Sequence, residues 1–420
     1  MDGPQPHPAA TLVYKFGGAS VRDAAAIRNL ARVVRDTAAG HPLLVVVSAM
    51  GKTTNALENL FGRAHAGQNY ATELDDLVAF HRAIAADLGA VTPELESLLT
   101  ALAEQLRAVE EGDFDRQYDQ IVSFGELLAT RIVADFLGGQ WLDCRPLVRT
   151  DDNWREGRVD WPVTEGRIRA ALAARLATGP VVVTQGFLGG TAAGATTTLG
   201  REGSDYSAAI FAYCLKAESV TIWKDVPGLL NADPKIFADT VLYPEISYAE
   251  TIEMAFYGAS VIHPKTIKPL AERRIPLYVR SFLDPVAPGT VIHDCQHPPL
   301  APAFIRKAGQ CLISFESTDF AFISEENLGV IFGALARARL KINLMQNSAL
   351  SFSVCTDYSE RRLGILLELL GGQFRMHYNS ELALFTIKNY DAESIGSIVS
   401  GRKVLLEQRT RGTFQAVCTA

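Results

Sequence analysis

The strongest constraint on this chain is the run Leu43–Val47, LLVVV, five consecutive apolar residues of which three are valine. A strand apolar on both sides must be covered on both sides, which is the position of a strand inside a helix-flanked parallel sheet. The preceding residues agree. Thr11–Phe16 (TLVYKF) reads as a first strand, Gly17-Gly18 as a turn, and Val21 to Ala38 as a helix. Together these form a βαβ unit.

Beyond it, Thr53 to about Leu137 is mostly helical in pattern and rich in Ala, Leu and Glu. Strand signals return at Pro180–Thr184 and Ser219–Trp223, joined by a helix beginning near Ser204. A helix at Lys265–Arg273 precedes a short strand at Pro276–Arg280. Alternation of this kind predicts a doubly wound α/β domain with a helical insertion. Asp284–Pro302 holds five prolines and reads as a linker or an edge strand. The texture then changes: Cys311–Phe315, a helix over Glu326–Arg337, Ile342–Met345 and Leu350–Thr356 read as β-α-β-β. An echo lies here. Leu344-x-Gln346-x-Ser348-x-x-Ser351-Phe352 recurs as Leu406-x-Gln408-x-Thr410-x-x-Thr413-Phe414, which predicts two duplicated α+β modules, the second abbreviated.

With 420 residues, two or three domains are expected. The net charge of −7 and the absence of a basic cluster argue against a nucleic-acid partner. No apolar run approaches the ~20 residues that cross a bilayer. The first ten residues, with three prolines, read as a loose tail and not a signal peptide. The six cysteines are scattered without a CxxC pair and no HExxH occurs, so no protein-held metal is expected.

Five segments carry chemistry. Lys15-Phe16-Gly17-Gly18-Ala19-Ser20 ends the first strand, where glycines let backbone N–H groups approach phosphate. It is neither GxxxxGK[ST] nor GxGxxG. Ser48 to Asn55 follows the second strand with small residues and hydroxyls; Thr53 or Thr54 could equally cap a helix. Ser123-Phe124-Gly125-Glu126 offers a carboxylate for a ligand ammonium group, or an exposed helical glutamate. Gly200 to Ala209 gathers Arg201, Ser204 and Asp205 before a helix of small residues; Arg201 suits a carboxylate, and Ser204 is expected to cap the helix. Trp223 to Gly228 and Asn231 to Lys235 form two turns after a buried strand, where a nucleotide lies in an open α/β sheet.

Taken in order, KFGG, VSAM-GKTTN, SFGE, GREGSDYSAA, DVPG-x-x-x-ADP and GASVIHPKT resemble the aspartate kinases of the amino-acid kinase family, across essentially the whole chain. The sequence looks most like the single-function enzymes of the Bacteroidetes, and no fused homoserine dehydrogenase is expected. The resemblance implies an amino-acid kinase fold over 11–300, a mostly parallel sheet between helix layers, followed by two ferredoxin-like ACT modules over 308–420. It implies ATP-dependent phosphorylation of the L-aspartate side chain, the first step of the aspartate-family pathway, with Mg²⁺ accompanying the nucleotide. It also implies a cytoplasmic homodimer or larger assembly, and lysine, threonine or both as effector.

Roles follow by resemblance. Lys15 would contact the transferring phosphoryl group and Asp205 orient it. Gly17 and Gly18 would line the phosphates. Ser48 and Thr54 would lie near the acceptor, Glu126 would bind the ammonium group, and Arg201 and Ser204 the carboxylates. Lys224, Asp225, Leu230, Lys235 and Ser260 would surround the nucleotide. Ser324, Asn327, Leu328, Ile342, Asn343 and Ser348 match an effector region, where strand and N-cap chemistry is the plainer reading. The chain departs from its relatives at Lys224 (often threonine), Ser260 (often a nucleotide-contacting lysine), Lys235 (often arginine), Ala19 (often threonine) and Glu202 (often glycine). Lys224 or Lys265 is expected to restore the charge missing at Ser260.

The competing readings are a sister kinase of the same fold, acting on glutamate, acetylglutamate, carbamate or a nucleoside monophosphate, and a non-catalytic amino-acid sensor. A nicotinamide dehydrogenase lacks its glycine fingerprint.

Overall fold

The computed structural model describes residues 11–110, 112–178, 181–237, 239–259, 262–296, 300–318 and 322–419. They form two compact units. The first gathers residues 11–229, 242–252 and 262–296, and the second gathers 230–241, 253–259 and 300–419.

The first unit is built on an eight-stranded sheet. In chain order its strands are β1 (Leu12–Phe16), β2 (Leu43–Val47), β3 (Gln140–Leu142), β4 (Val181–Gln185), β7 (Ser219–Lys224), β8 (Glu245–Ser247), β9 (Leu277–Ser281) and β10 (Thr290–His293). A separate hairpin supplies β5 (Leu188–Gly190) and β6 (Thr196–Thr198). The sheet order is β3-β4-β2-β1-β7-β9-β10-β8. The first six of these pair in parallel, β10 runs antiparallel to β9, and β8 is parallel to β10.

The apolar run behaves as its composition demands: all five side chains of β2 are buried, and so are all five of β1. Each fully buried Val or Leu contributes about 1.5–3 kcal/mol relative to exposure. The cover on one face is the helix Gly203–Leu215, which packs on β1, β2 and β7 and against helices Trp161–Thr178 and Pro264–Arg273. Its small, apolar residues suit a helix buried on all sides. The helix Phe124–Leu137 packs on β2, β3 and β4. It ends the helical insertion, which comprises Thr53–His65, Ala71–Leu88, Pro93–Arg107, Phe114–Val122 and Phe124–Leu137.

The chain forms β1, passes to β2 on one side, and later returns to place β7 on the other side of β1. That reversal opens a crevice beyond the C-terminal ends of these strands, the usual ligand position in such sheets.

One reading is corrected. The proline-rich stretch 284–302 contributes β10, which lies between β9 and β8 and is therefore interior; β8 is the edge. Gly289 makes this possible. It sits at φ +70°, and a Cβ there would lie 2.2 Å from the Val279 carbonyl oxygen.

The second unit carries a six-stranded antiparallel sheet of β11 (Ala303–Ser317), β12 (Ile342–Asn347), β13 (Ser351–Asp357), β14 (Phe374–Lys388), β15 (Val404–Arg409) and β16 (Thr413–Thr419), in the order β12-β13-β11-β14-β16-β15. The sequence echo is a structural repeat. Both hairpins close the same way, Ser348 N–H donating to the Ser351 carbonyl at 2.8 Å and Thr410 N–H to the Thr413 carbonyl at 2.8 Å. Both first strands also carry an irregularity at the same place, between Ile342 and Leu344 and between Val404 and Leu406. The first module has helices Glu325–Arg337 and Glu360–Leu370; the second has Ala392–Val399. Residues 230–241 join this unit because Phe304 N–H donates to the Asn231 carbonyl at 2.7 Å and the Phe237 and Phe304 rings touch.

Asp119, fully buried on helix Phe114–Val122, ties the insertion to the β5–β6 hairpin. It accepts from Thr198 Oγ1 at 2.8 Å, Thr198 N at 3.0 Å and Arg155 N at 2.9 Å. Asp119→Ala strands two backbone donors and a hydroxyl, and should cost about 2–4 kcal/mol in chemical denaturation.

Candidate active site

Lys15 stands near the C-terminal end of β1, level with Val46 of β2 and Ile222 of β7. Only 9% of it is exposed, and its ammonium group lies 2.6 Å from Asp205 Oδ1. Lys224, the last residue of β7, places its own ammonium group 3.5 Å from Asp205 Oδ2. Asp205 sits in the first turn of helix Gly203–Leu215, near the positive end of its dipole. Burial alone would push its carboxyl up, but the charges of Lys15 and Lys224 and their hydrogen bonds hold it below the ordinary carboxylate range. The trio sets two amino groups about one carboxylate.

Beside it lies a cavity of about 450 Å³ lined by Gly18, Ser48, Thr54, Glu126, Arg201 and Ser204 among others. These six were singled out in the sequence, and residues more than 180 positions apart meet here because β1, β2 and the 200–204 turn end at one level. The loop after β2 comes down onto the loop after β1. Gly51 N–H donates to the Gly18 carbonyl at 3.1 Å, and a Cβ on Gly18 would lie 2.9 Å from the Ala49 carbonyl oxygen.

Glu126 is not an exposed helical glutamate. It is buried, its Oε1 accepts from Ala49 N–H at 3.1 Å, and its Oε2 has no hydrogen-bond partner among the described residues. Burial pushes its carboxyl up to about 8, against the Ala49 hydrogen bond and the nearby Lys15 charge. A buried carboxylate oxygen without a partner, facing a cavity, is a binding position for a cationic group.

Two capping readings are corrected. The helix after Arg201 starts at Gly203 with Glu202 as its N-cap, at φ +53°, so Ser204 falls within the first turn and faces the cavity. Neither Thr53 nor Thr54 caps its helix; Lys52 is the N-cap. Thr53 Oγ1 instead lies 3.4 Å from His81 Nε2, while Thr54 lines the cavity.

The cavity also has walls that sequence reasoning missed: Glu58, Tyr118, Arg155, Phe187, Thr198 and Glu202. The Tyr118 hydroxyl donates to Glu58 Oε1, and the Arg155 guanidinium stands 4.1 Å over the Tyr118 ring. For Glu58 and Tyr118 the one signal was polar residues scattered among apolar ones in the insertion; the others carried none.

The residues expected around the nucleotide are spread. Gly17 adjoins Lys15, a Cβ there lying 3.4 Å from its Nζ. Asp225 is exposed just past β7. Leu230 and Lys235 belong to the second unit, Lys235 N–H donating to Asp233 Oδ1 at 2.9 Å in a turn. Ser260 lies outside the described residues. Lys265 is half-buried and donates to the Leu199 carbonyl at 2.7 Å, behind the 200–203 turn.

Of the expected effector residues, Ser324 and Asn327 form a capping box: Asn327 N–H donates to Ser324 Oγ at 3.2 Å and Ser324 N–H to Asn327 Oδ1 at 3.0 Å. Leu328 and Ile342 pack on the first module's core. Asn343 donates to Gln310 Oε1 at 2.8 Å and Asp357 Oδ1 at 2.9 Å, and Ser348 lies in the hairpin turn.

Comparison with known proteins now decides the family. The family model described as "Amino acid kinase family" matches residues 10–281. Lysine-sensitive aspartokinase 3 of Escherichia coli K12 is 35% identical over 355 residues, 82% of this chain and 78% of that protein. The chain belongs to the amino acid kinase family, among the aspartokinases. A chloroplastic bifunctional aspartokinase/homoserine dehydrogenase of Zea mays is 30% identical over 388 residues, and the chain spans 41% of its length. The structure of E. coli aspartokinase III in complex with aspartate and ADP superposes with a TM-score of 0.81 at 30% identity, covering 97% of this chain and 96% of that one. The form in complex with lysine and aspartate gives 0.79 at 30% identity, covering 97% and 95%.

Glu126→Gln separates the carboxylate's charge from its shape. Because the folded protein holds this acid well above its ordinary value of 4.5, the group favours the folded state at low pH, and that contribution is lost as pH rises from about 4.5 to 8. Thermal melting of Glu126→Gln should therefore decline less than wild type across that window, while its amino-acid binding by calorimetry weakens on the order of 100-fold at pH 8.

Proposed function

We propose that the chain transfers the γ-phosphoryl group of ATP to the side-chain carboxylate of L-aspartate, giving 4-phospho-L-aspartate and ADP. The observation that carries this is the unpartnered Glu126 oxygen in a cavity whose other side holds Arg201, Ser204, Ser48 and Thr54, beside the Lys15–Asp205–Lys224 cluster. An amino dicarboxylate needs one anionic contact and two cationic or hydroxyl contacts, and this cavity supplies them.

Glu126 receives the α-ammonium group. Arg201 and Ser204 hold the α-carboxylate, Arg201 through parallel N–H···O bonds. Ser48 and Thr54 direct the side-chain carboxylate toward the end of β1. No general base is needed, because a carboxylic acid with pKa ~4 is ionised at neutral pH. The obstacle is the approach of two anions. Lys15 meets it by standing at the mouth of the crevice with its ammonium group held by Asp205, so that charge developing on the transferring group finds a fixed cation. Lys224 adds a second cation and keeps Asp205 from neutralising Lys15 outright. Backbone N–H groups of the Gly17–Gly18 turn face the phosphates, and Asp225, exposed just past β7, lines the nucleotide. Mg²⁺ bound to the incoming ATP would supply further screening of its phosphate charge.

The second unit is the regulatory part, two ACT-like modules that bind lysine, threonine or both and favour one of two arrangements of the enzyme. The lysine complex of the E. coli relative and the duplicated β-α-β-β pattern support this. We assign the working form to a homodimer or larger homo-oligomer in the cytoplasm; among the described residues no helix is long and apolar enough to cross a membrane.

The test is aspartate-dependent ADP release with Mg-ATP, the acyl phosphate being trapped by hydroxylamine. Hydroxamate should form with aspartate and not with glutamate, and lysine or threonine should suppress it. Well-folded protein that releases no ADP in response to aspartate would contradict the proposal. Lys15→Ala should lower kcat on the order of 10²–10³-fold with KM for aspartate changed only a few-fold. Aspartate binding at pH 7 should release protons, since Glu126 must ionise to hold the ammonium group; calorimetry in buffers of different ionisation enthalpy reads this directly.

A further inference from the structure

Away from the cavity, Glu245, His293 and Cys295 converge so that one ligand atom from each lies within 4.8 Å of the others. Strand register produces this. β10 and β8 pair in parallel with Val291 opposite Glu245 and His293 opposite Ser247, so Glu245 and His293 share one face of the sheet. That face is the half-exposed one: Glu245, Ser247, Val291 and His293 are partly accessible while Ile246, Thr290 and Ile292 are buried. Cys295 follows His293 by two residues, just past the strand, and is itself half-buried. His293 Nε2 already lies 2.5 Å from Glu245 Oε1.

We propose that Glu245, His293 and Cys295 bind a borderline divalent transition metal of the zinc class, three protein ligands leaving a fourth position for water. The donor set selects the metal. A thiolate with an imidazole disfavours Mg²⁺ and Ca²⁺, which take all-oxygen sites, and suits Zn²⁺ or Co²⁺. Binding replaces the His293–Glu245 hydrogen bond with two metal bonds, opening that pair by under an ångström to ligand spacing. The site joins edge strand β8 to the chain just beyond β10, so the metal would fasten the otherwise open end of the sheet. It is separate from Mg-ATP chemistry: none of the three residues lines the aspartate cavity.

The experiment is titration of the full chain, first stripped with chelator, with Co²⁺ and then Zn²⁺ in the presence of excess Mg²⁺. The proposal expects a near-ultraviolet thiolate-to-cobalt charge-transfer band at one equivalent, abolished by Zn²⁺. Cys295→Ser should remove the band, and His293→Gln and Glu245→Gln should each weaken Co²⁺ binding by more than the ~10–100-fold that loss of an outer-shell partner costs. Zn²⁺ should raise the Tm of wild type but not of Cys295→Ser. No band in wild type, or a band that survives in Cys295→Ser, would overturn the site. Because Cys295→Ser is remote from the cavity, its aspartate-dependent turnover should match metal-free wild type, which also shows that the variant is folded.

Discussion

A carboxylate buried to 97% between two lysines is the constraint around which this protein is organised. Asp205 could not remain ionised there alone, since burial of an isolated charge costs several kcal/mol. Lys15 and Lys224 make it tolerable, and they reach it from the ends of two strands that flank one another, β1 and β7. The arrangement needs β1 in the middle of the sheet, the helix Gly203–Leu215 laid across it, and the 200–203 turn at the level of the strand ends. Any change that moves one of these displaces the charge cluster.

The same packing creates the acceptor site. The helix that carries Asp205 in its first turn begins at Gly203, two residues after Arg201, so the cavity wall and the buried charge cluster are set by one short stretch of chain. Glu126 completes the cavity from the opposite side, on a helix that rests against β2, β3 and β4. Its partner oxygen is left unsatisfied. A protein retains such an atom at a cost in stability, and under the proposed function the substrate's ammonium group would relieve it.

Much of this was readable from the chain. The LLVVV run, the KFGG turn and the segment around Arg201 have periodicity or composition that local rules interpret, and the repeat after Leu344 foretold two duplicated α+β modules. What escaped is non-local. β10 was hidden by prolines that occupy its flanks and not the strand. Ser204 and Thr53 have the chemistry of helix caps, yet tertiary contacts drew them into the cavity and onto His81. Arg155 is placed at the cavity by its N–H bond to Asp119, which also holds β6, Tyr118 and Glu58 meet there from two separate helices, and Glu245 meets His293 only because two short strands happen to be in register.

Asp205 is proposed to act through Lys15, and the direct test is a double-mutant cycle of Lys15→Met and Asp205→Asn on kcat with saturating aspartate and ATP. If Asp205 serves to hold and orient the Lys15 ammonium group, the double variant should be little slower than Lys15→Met alone, a coupling of at least ~10-fold, or about 1.4 kcal/mol. Rate losses that simply multiply would show that the two residues act independently and would contradict it.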